Sequence, residues 1–578
     1  MKPLGFAHPL SSLRVCIYLV LFSFFIDVGG VAVVRKRMTK IGVVEGDIED
    51  VCCSLSSGSM RGPSVPMISN RRRRVLREDY GPGIPGNATV FVHTFGCGHN
   101  MSDGEYMAGQ LAQSGFQITD EFSQADIYLL NSCTVKNPSE EHFVNMMNRV
   151  RATGKPLVVA GCVPQADPDN KQWAEVSVIG VRSIDRVSYV VNETLQGNCV
   201  RLIGSDKEQL RVGESDKLPA LDLPKVRRNK YIEIIPISVG CLNCCTYCKT
   251  KYARGDLRSY PVSEIVGRVR EVVDDGVKEI RLTSEDSGAY GIDIGTDIVQ
   301  LLRAVAAELE GSDVMLRVGM SNPPYLLRHV DDFASILRHP NVYEFVHIPV
   351  QSGSNRILKT MLREYTVEEF CKCMDAIRTA VPRVTLATDI ICAFPGEGEA
   401  EWRETMRLCE VAKFGVINIT RFYPRRNTPA AAMKQIPTDI AKQRTTELTN
   451  FFNSYRTYDA MVGDVCQVTL LETAHDKHHL VGHTKNYVQV LVDPSEARMG
   501  ERVTVVIVSA TKYSVTGRVL RTEWEKTCAR AAALFSSPRC INRNGLRAVA
   551  LVCTVAACTV IHFLGHRRPS VGGLRKRL

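Results

Sequence analysis

Twice along this chain, short apolar runs alternate with amphipathic stretches of helical spacing, and few folds accept that rhythm. The first series lies between about 89 and 200 and contains VFVHTF, DIYLLN, PLVVAG and VSVIG. It predicts a parallel sheet with crossover helices. The second begins at Lys230 with KYIEIIPIS and continues through KEIRLTS, VMLRVGM, FVHIPVQ, VTLATDII and VINITRFYP. Between these strands lie helical patterns. One spans 263–275, with Ser263 as its N-cap and Ile265, Val266, Val269, Val272 and Val273 on one face. Thr366 and Glu369 form a capping box before another. Six such units predict an α/β domain built as a partial barrel, with its chemistry at the C-terminal ends of the strands.

From 459 to 521 the period changes to two, in CQVTLLET, YVQVLVD, ERVTVVIVSA and SVTGRVL, which predicts a small C-terminal β-barrel. The organisation expected is therefore an extension over 1–88, a parallel-sheet domain over 89–200, a linker over 201–228, the partial barrel over 229–458, the small barrel over 459–521, and a linker over 522–547. Residues 548–564 (AVALVCTVAACTVIHFL) are uncharged and reach the lower limit for a bilayer span, with a basic tail over 565–578. They read as a transmembrane tail anchor, since the polar linker before them offers no domain to bury them. The apolar run 15–26 has the look of a signal-peptide core. That reading points to an oxidising lumen and conflicts with the cysteine usage below, so the role of this segment stays open.

The net charge of +10 suits a polyanion or a membrane surface equally. In the small barrel, Lys477, His478, His479, His483, Lys485, Arg498, Arg502, Lys512 and Arg518 are candidate contacts to a phosphate backbone.

Twenty cysteines spread over 578 residues do not make a disulfide scaffold, and point to a reducing compartment where some thiolates hold metal. In GCLNCCTYC, directly after the strand YIEIIPISVG, Cys241, Cys245 and Cys248 have the spacing C-x3-C-x2-C. Three thiolates on one short loop can hold three irons of a 4Fe–4S cubane and leave the fourth open to a small molecule. Zinc is the alternative, with Cys244 as a conceivable fourth ligand. The usual zinc form repeats C-x2-C pairs at a distance, whereas here Cys241/Cys244 and Cys245/Cys248 abut on one loop and no further pair lies at a distance.

A second trio is dispersed. Cys97, Cys133 and Cys162 each follow an apolar strand, in VFVHTFGC, IYLLNSC and LVVAGC. In a parallel sheet those positions share one edge, so the thiolates converge there. Gly96, Asn131, Ser132 and Gly161 are small enough to let a cluster approach the backbone.

The loop GCLNCCTYCKTKYARGDLRS resembles that of radical S-adenosylmethionine (SAM) enzymes, and the two trios together resemble the methylthiotransferases among them. That family combines an N-terminal cluster domain, a radical-SAM barrel and a small barrel of the TRAM type; the resemblance covers 89–521. TFGCGHNMSDGEYMAGQLA, NSCTVKNPSE, AGCVPQADP and LTSEDSGAYG are similar to the eukaryotic and archaeal branch acting on threonylcarbamoyladenosine in tRNA. Branches acting on isopentenyladenosine or on a ribosomal protein are alternatives. So, from another class, is a membrane-tethered iron–sulfur protein that binds RNA without catalysis.

The resemblance implies two 4Fe–4S clusters and SAM as cofactors. It implies the anticodon loop of tRNA as partner, with one SAM donating a methyl group to sulfur and a second yielding the radical that activates C2 of the adenine. The electron donor and sulfur source are not implied. Cys241, Cys245 and Cys248 would be the catalytic cluster ligands. SAM contacts would come from Tyr247, Ser284, Glu285, Asp286, Arg317, Ser321, Gln351, Ser352 and Asp389. The same resemblance implies an endoplasmic-reticulum tail anchor with the catalytic domains facing the cytosol. One departure bears on loop shape: relatives usually carry Pro-Gly where FYPRRNTPAA has Arg426 and Asn427.

Overall fold

The structure, a computed structural model, describes residues 88–135, 137–203 and 218–536. The expected hydrophobic segments at 15–26 and 548–564 lie outside these residues. Among the described residues no helix is long and apolar enough to cross a membrane.

The first domain is a six-stranded sheet of β1 (Thr89–Thr94), β2 (Gln117–Thr119), β3 (Ile127–Ser132), β4 (Leu157–Gly161), β5 (Ser177–Ile179) and β6 (Arg201–Leu202). The order is β2-β1-β3-β4-β5-β6 and every pairing is parallel. Both faces are covered, which is why the strands read as continuous apolar runs. Val90, Leu129, Val158 and Ile179 pack on Met107 and Leu111 of the helix Gly98–Gln113 and on Val187 and Val190 of the helix Val187–Leu195. Phe91, Tyr128, Leu130 and Val159 pack on Phe143 and Met147 of the helix Asn137–Arg151.

The second domain holds β7 (Ile232–Pro236), β8 (Ser238–Val239), β9 (Arg258–Ser259), β10 (Glu279–Thr283), β11 (Met315–Arg317), β12 (Phe345–His347), β13 (Thr385–Cys392) and β14 (Val416–Arg421). Six of these form two parallel sheets, β11-β10-β7 and β12-β13-β14, and a parallel bridge from Leu316 to Val342 spans the gap between them. The six βα units run in chain order, as the sequence predicts. Strand residues Ile280, Leu282, Leu316, Val346, Leu386 and Ile390 share one core with the surrounding helices. The capping box at Thr366 and Glu369 forms, with both bonds made. Ser263 is not an N-cap: the helix is Val262–Asp274, capped by Pro261, and Ser263 falls in its first turn. Pro261 takes the extended backbone of a cap position and its ring fixes φ at −57°.

The small barrel is closed, in the order β15-β16-β17-β19-β18, from β15 (Val465–Thr473), β16 (Leu480–His483), β17 (Gln489–Val492), β18 (Arg502–Ala510) and β19 (Ser514–Val519). It docks through Leu471 on Ile232, Ile234 and Met101, and through Tyr487 on Tyr343, Phe345 and Ala387.

Both expected linkers are partly structured. Arg201 and Leu202 are the edge strand β6, paired with β5. Further on, Lys225 and Arg227 are buried rather than solvated. Lys225 Nζ donates to Glu233 (2.9 Å) and Ser102 (3.1 Å) and lies 3.2 Å from Glu105, while Arg227 and Arg268 also pair with Glu233. The charges that make this stretch look like a linker instead satisfy a carboxylate buried in β7. In the second linker, Glu523–Ser536 is a helix whose start is a capping box between Thr522 and Glu525.

Candidate functional site

Neighbouring parallel strands β1, β3 and β4 end side by side, and Cys97, Cys133 and Cys162 leave them at that common edge. Cys97 is the N-cap of the helix Gly98–Gln113, Cys133 is fully buried, and Cys162 opens the helix Cys162–Ala166. The Cys133 and Cys97 sulfurs are 3.7 Å apart. Gly96, at φ 86°, makes this approach possible: a Cβ there would lie 2.5 Å from Cys133 Sγ.

The second trio sits on the loop after β8. Gly240, at φ 84°, turns the chain where a Cβ would meet the Asp256 carbonyl at 2.1 Å. Cys241 N then donates to Gly255 O (3.1 Å) and Cys248 N to Cys245 O (3.1 Å). Thr246 N donates to Met361 O (3.0 Å), and Arg363 Nη1 donates to Cys245 Sγ (3.2 Å). The Tyr247 ring packs on Ile357, Met361, Phe394 and Ala430.

The two trios are joined by a short polar bridge. Glu285, in the loop after β10, accepts from Gly240 N (2.8 Å) and lies 3.0 Å from Nδ1 of His99, two residues after Cys97. Arg254, only 1% exposed, donates to Asp103 Oδ2 (2.7 Å) and approaches Glu285 (3.5 Å). Burial would raise the Glu285 carboxyl, but the His99 and Arg254 neighbours outweigh it and hold it below its usual range. Burial pushes the Cys162 thiol up to about 12, against the pull of Arg254, and burial with nearby Asp286 pushes Cys241 to about 12. Buried thiols of this kind are held as thiolates only when a metal displaces the proton.

The donor sets fit two clusters. Each trio consists of thiols alone, and the Gly96 cradle leaves room at Cys133 that a side chain would fill. Among the described residues no three His, Cys, Asp or Glu side chains meet closely enough for a single metal ion.

The expected SAM contacts divide by what they touch. Ser321 is buried, and its hydroxyl has no hydrogen-bond partner among the described residues. Ser284 Oγ lies 3.3 Å from Ser287 Oγ. Asp389 Oδ1 bonds His347 (2.9 Å) and Asn418 (2.7 Å) on the flanking strands. Gln351 adopts φ 69° and its backbone pairs with Asp389 and Ile391. Others are engaged elsewhere. Asp286 spends both oxygens on Gly288 N and on Asn322. Ser352 faces Thr405 of the helix Glu399–Ala412 (3.3 Å). Arg317 lies over the rings of Phe345 (5.2 Å) and Tyr487 (5.1 Å), against the small barrel.

Three of the basic residues in that barrel are likewise structural. His483 is buried and stacked on Tyr487 (4.1 Å between centroids), Lys485 donates to the carbonyls of Leu337 (3.1 Å) and His339 (2.6 Å), and Lys512 lies over Phe452 (3.7 Å). Lys477, His478, Arg498, Arg502 and Arg518 stay exposed. Sequence reasoning did not single out Arg254 or Arg363. Arg254 sits in the quoted cysteine motif, within KYARG, whereas Arg363 carries no local signal.

Three family descriptions match the chain: Uncharacterized protein family UPF0004 over 89–180, the Radical SAM superfamily over 235–409 and the TRAM domain over 459–520. A threonylcarbamoyladenosine tRNA methylthiotransferase of Danio rerio is 47% identical over 488 residues, covering 82% of this chain and 88% of that one. One of Drosophila pseudoobscura pseudoobscura is 50% identical over 452 residues, covering 78% and 81%. Among solved structures, the radical SAM methyltransferase TsrM of Kitasatospora setae, with cobalamin and a 4Fe–4S cluster bound, aligns with a TM-score of 0.44 at 13% identity, over 60% of this chain and 74% of that one. With identities near one half across most of both chains, this chain belongs to the threonylcarbamoyladenosine tRNA methylthiotransferase family.

Proposed function

We propose that this chain is a radical-SAM methylthiotransferase that converts N6-threonylcarbamoyladenosine at tRNA position 37 to its 2-methylthio derivative, in tRNAs reading A-starting codons. The observation that carries this reading is the contact between the two cysteine sites through Glu285, His99 and Arg254. When bound, two 4Fe–4S clusters supply reductive cleavage of SAM and a place for the sulfur to be transferred.

The chain's own residues do the positioning. Cys241, Cys245 and Cys248 would hold one cluster, and Cys97, Cys133 and Cys162 the other, each leaving one iron without a protein ligand. Glu285 fixes the start of the barrel loop through the Gly240 amide, while Arg363 fixes its middle through Cys245. Tyr247 and Phe394 wall the loop from water on its inner side. Ser321, with its unpaired hydroxyl, and Asp389, braced by His347 and Asn418, are the polar groups offered to SAM. The target base must leave its stack to reach a site enclosed in this way. The exposed arginines and lysine of the small barrel are the groups offered to the tRNA backbone.

The same reading places residues 548–564 in the endoplasmic-reticulum membrane with the catalytic domains in the cytosol. It rests on the apolar sequence of that segment, and deleting the segment should release the protein from membrane fractions.

The test of the reaction is nucleoside mass spectrometry of tRNA treated with anaerobically reconstituted protein, SAM and a reductant. A gain of one methylthio group on threonylcarbamoyladenosine supports it. An unchanged nucleoside, or modification of isopentenyladenosine instead, rejects it.

A further inference from the structure

We propose that Arg425 is a positioning residue that clasps the Cys133 loop to the Cys248 loop and so sets the separation of the two cysteine sites. The inference rests on the reading that both sites serve one reaction. Arg425 lies in the loop after β14, and its side chain is only 12% exposed. One arm of its guanidinium donates to Glu140 Oε2 (3.1 Å), at the start of the helix after Cys133. The other donates to the carbonyl of Val135 (3.1 Å), two residues after Cys133.

The same loop is stitched to the barrel's cysteine loop from the other side. Lys249 Nζ, next to Cys248, donates to Arg426 O (2.8 Å), and Ala430 N donates to Thr246 O (3.0 Å). Arg426 adds an ion pair to Asp167 (3.0 Å), just past the helix that Cys162 opens. One six-residue stretch therefore touches the elements that carry Cys133, Cys162 and Cys248. Arg425 alone supplies a two-armed contact among them, from a side chain mostly shielded from solvent; Arg426 is exposed and makes a single surface pair of small worth. Burial lowers the guanidinium's affinity for the proton, against the pull of Glu140 first and of the nearby Cys133 and Cys248 after it.

Group transfer between two sites depends steeply on their spacing, and a misplacement of about 1 Å can cost about a hundredfold in rate. SAM cleavage needs only the barrel site, whereas product needs both. Loosening the clasp should therefore uncouple the two, not abolish both.

The experiment compares full-length wild type, R425A, R425K and E140Q, each loaded anaerobically and checked for iron. Two quantities are read: 5′-deoxyadenosine released per methylthio nucleoside formed, and hydrogen exchange of the amides of 133–135, 137, 139 and 140 in the metal-free chains. In R425A the ratio should rise by about tenfold or more and exchange at these amides should quicken, with R425K intermediate. E140Q, which leaves the Val135 bond in place, should show the same changes more weakly, and carries the test should R425A not fold. An unchanged ratio with unchanged exchange overturns the proposal. A wild type that makes no methylthio product would instead reject the reaction itself, while the exchange comparison would still decide the clasp.

Discussion

His99 and Glu285 meet at 3.0 Å across the boundary between the parallel-sheet domain and the partial barrel, and each stands beside a different cysteine site. Glu285 also accepts from the Gly240 amide and is approached by Arg254, so one carboxylate faces polar groups from two domains. Glu285→Ala leaves the Gly240 amide without its acceptor and removes one of the two carboxylates beside the buried Arg254, Asp103 being the other. The expected loss is about 3 kcal/mol or more, the usual scale for removing one partner of a buried ionic contact. Glu285→Gln keeps an acceptor for Gly240 and should cost less. Denaturant unfolding measures both. Iron analysis should show the barrel site loading poorly in Glu285→Ala, because Gly240 sets the start of the Cys241 loop.

Gly96→Ala tests the cradle of the other site. The backbone there is left-handed at φ 86°, and the added methyl would sit 2.5 Å from Cys133 Sγ, so neither the turn nor the sulfur can stay in place. Iron per chain should fall from about eight to about four, one cubane being lost. Cleavage of SAM should continue while methylthio product disappears. Full iron content in G96A would show that the cradle is not what shapes the site.

Both trios are visible in the sequence because a thiol after a strand is a local signal, and the parallel order of β1, β3 and β4 follows from their apolar runs. The groups joining the trios are not visible in this way. Arg363 reaches Cys245 from 118 residues away, and Arg425 reaches Glu140 across 285, separations no periodicity records. Buried charges mislead in the other direction. Lys225 and Arg227 suggest solvent and a linker until Glu233, in the middle of an otherwise apolar strand, shows what they neutralise. Ser352 and Arg317 sit at the expected strand ends, but one turns to a helix and the other to the small barrel. Strand position gives a residue's height in the barrel and leaves the direction of its side chain to packing.

Glu233 gives the chain a specific acid sensitivity. Burial would raise its carboxyl, but Lys225, Arg268 and Arg227 prevail and lower it from 4.5 to about 2. A carboxyl lowered on folding stabilises the folded state above its unfolded value and loses that contribution as pH falls through the folded one. The window is therefore between 4.5 and about 2, and the amount at neutral pH is roughly 3 kcal/mol. Urea midpoints of wild type and E233Q should differ strongly at pH 7 and converge towards pH 3. Cluster loss in acid is common to both chains, so the difference between them isolates Glu233. A constant difference across that range would assign the effect to packing instead of charge.

The loop that holds Arg425 turns at Asn427, where φ is 67° and Thr428 N closes the turn on Arg425 O at 3.0 Å. With Asn427 left-handed and Arg426 not, this is the turn form whose third position takes a positive φ, which a Pro-Gly pair provides through glycine. Asparagine is the side chain that tolerates that backbone best after glycine, so Arg426-Asn427 keeps the shape that the departure put at stake. N427G should then be neutral in thermal unfolding and in product formation. N427A should cost about 1 kcal/mol, and N427V more, since a β-branched side chain crowds the left-handed region further. Because Arg425 and Arg426 both hang from this turn, the same series should raise the ratio of cleaved SAM to product in step with the stability lost. Equal behaviour of N427G and N427V would mean that the clasp does not depend on the turn.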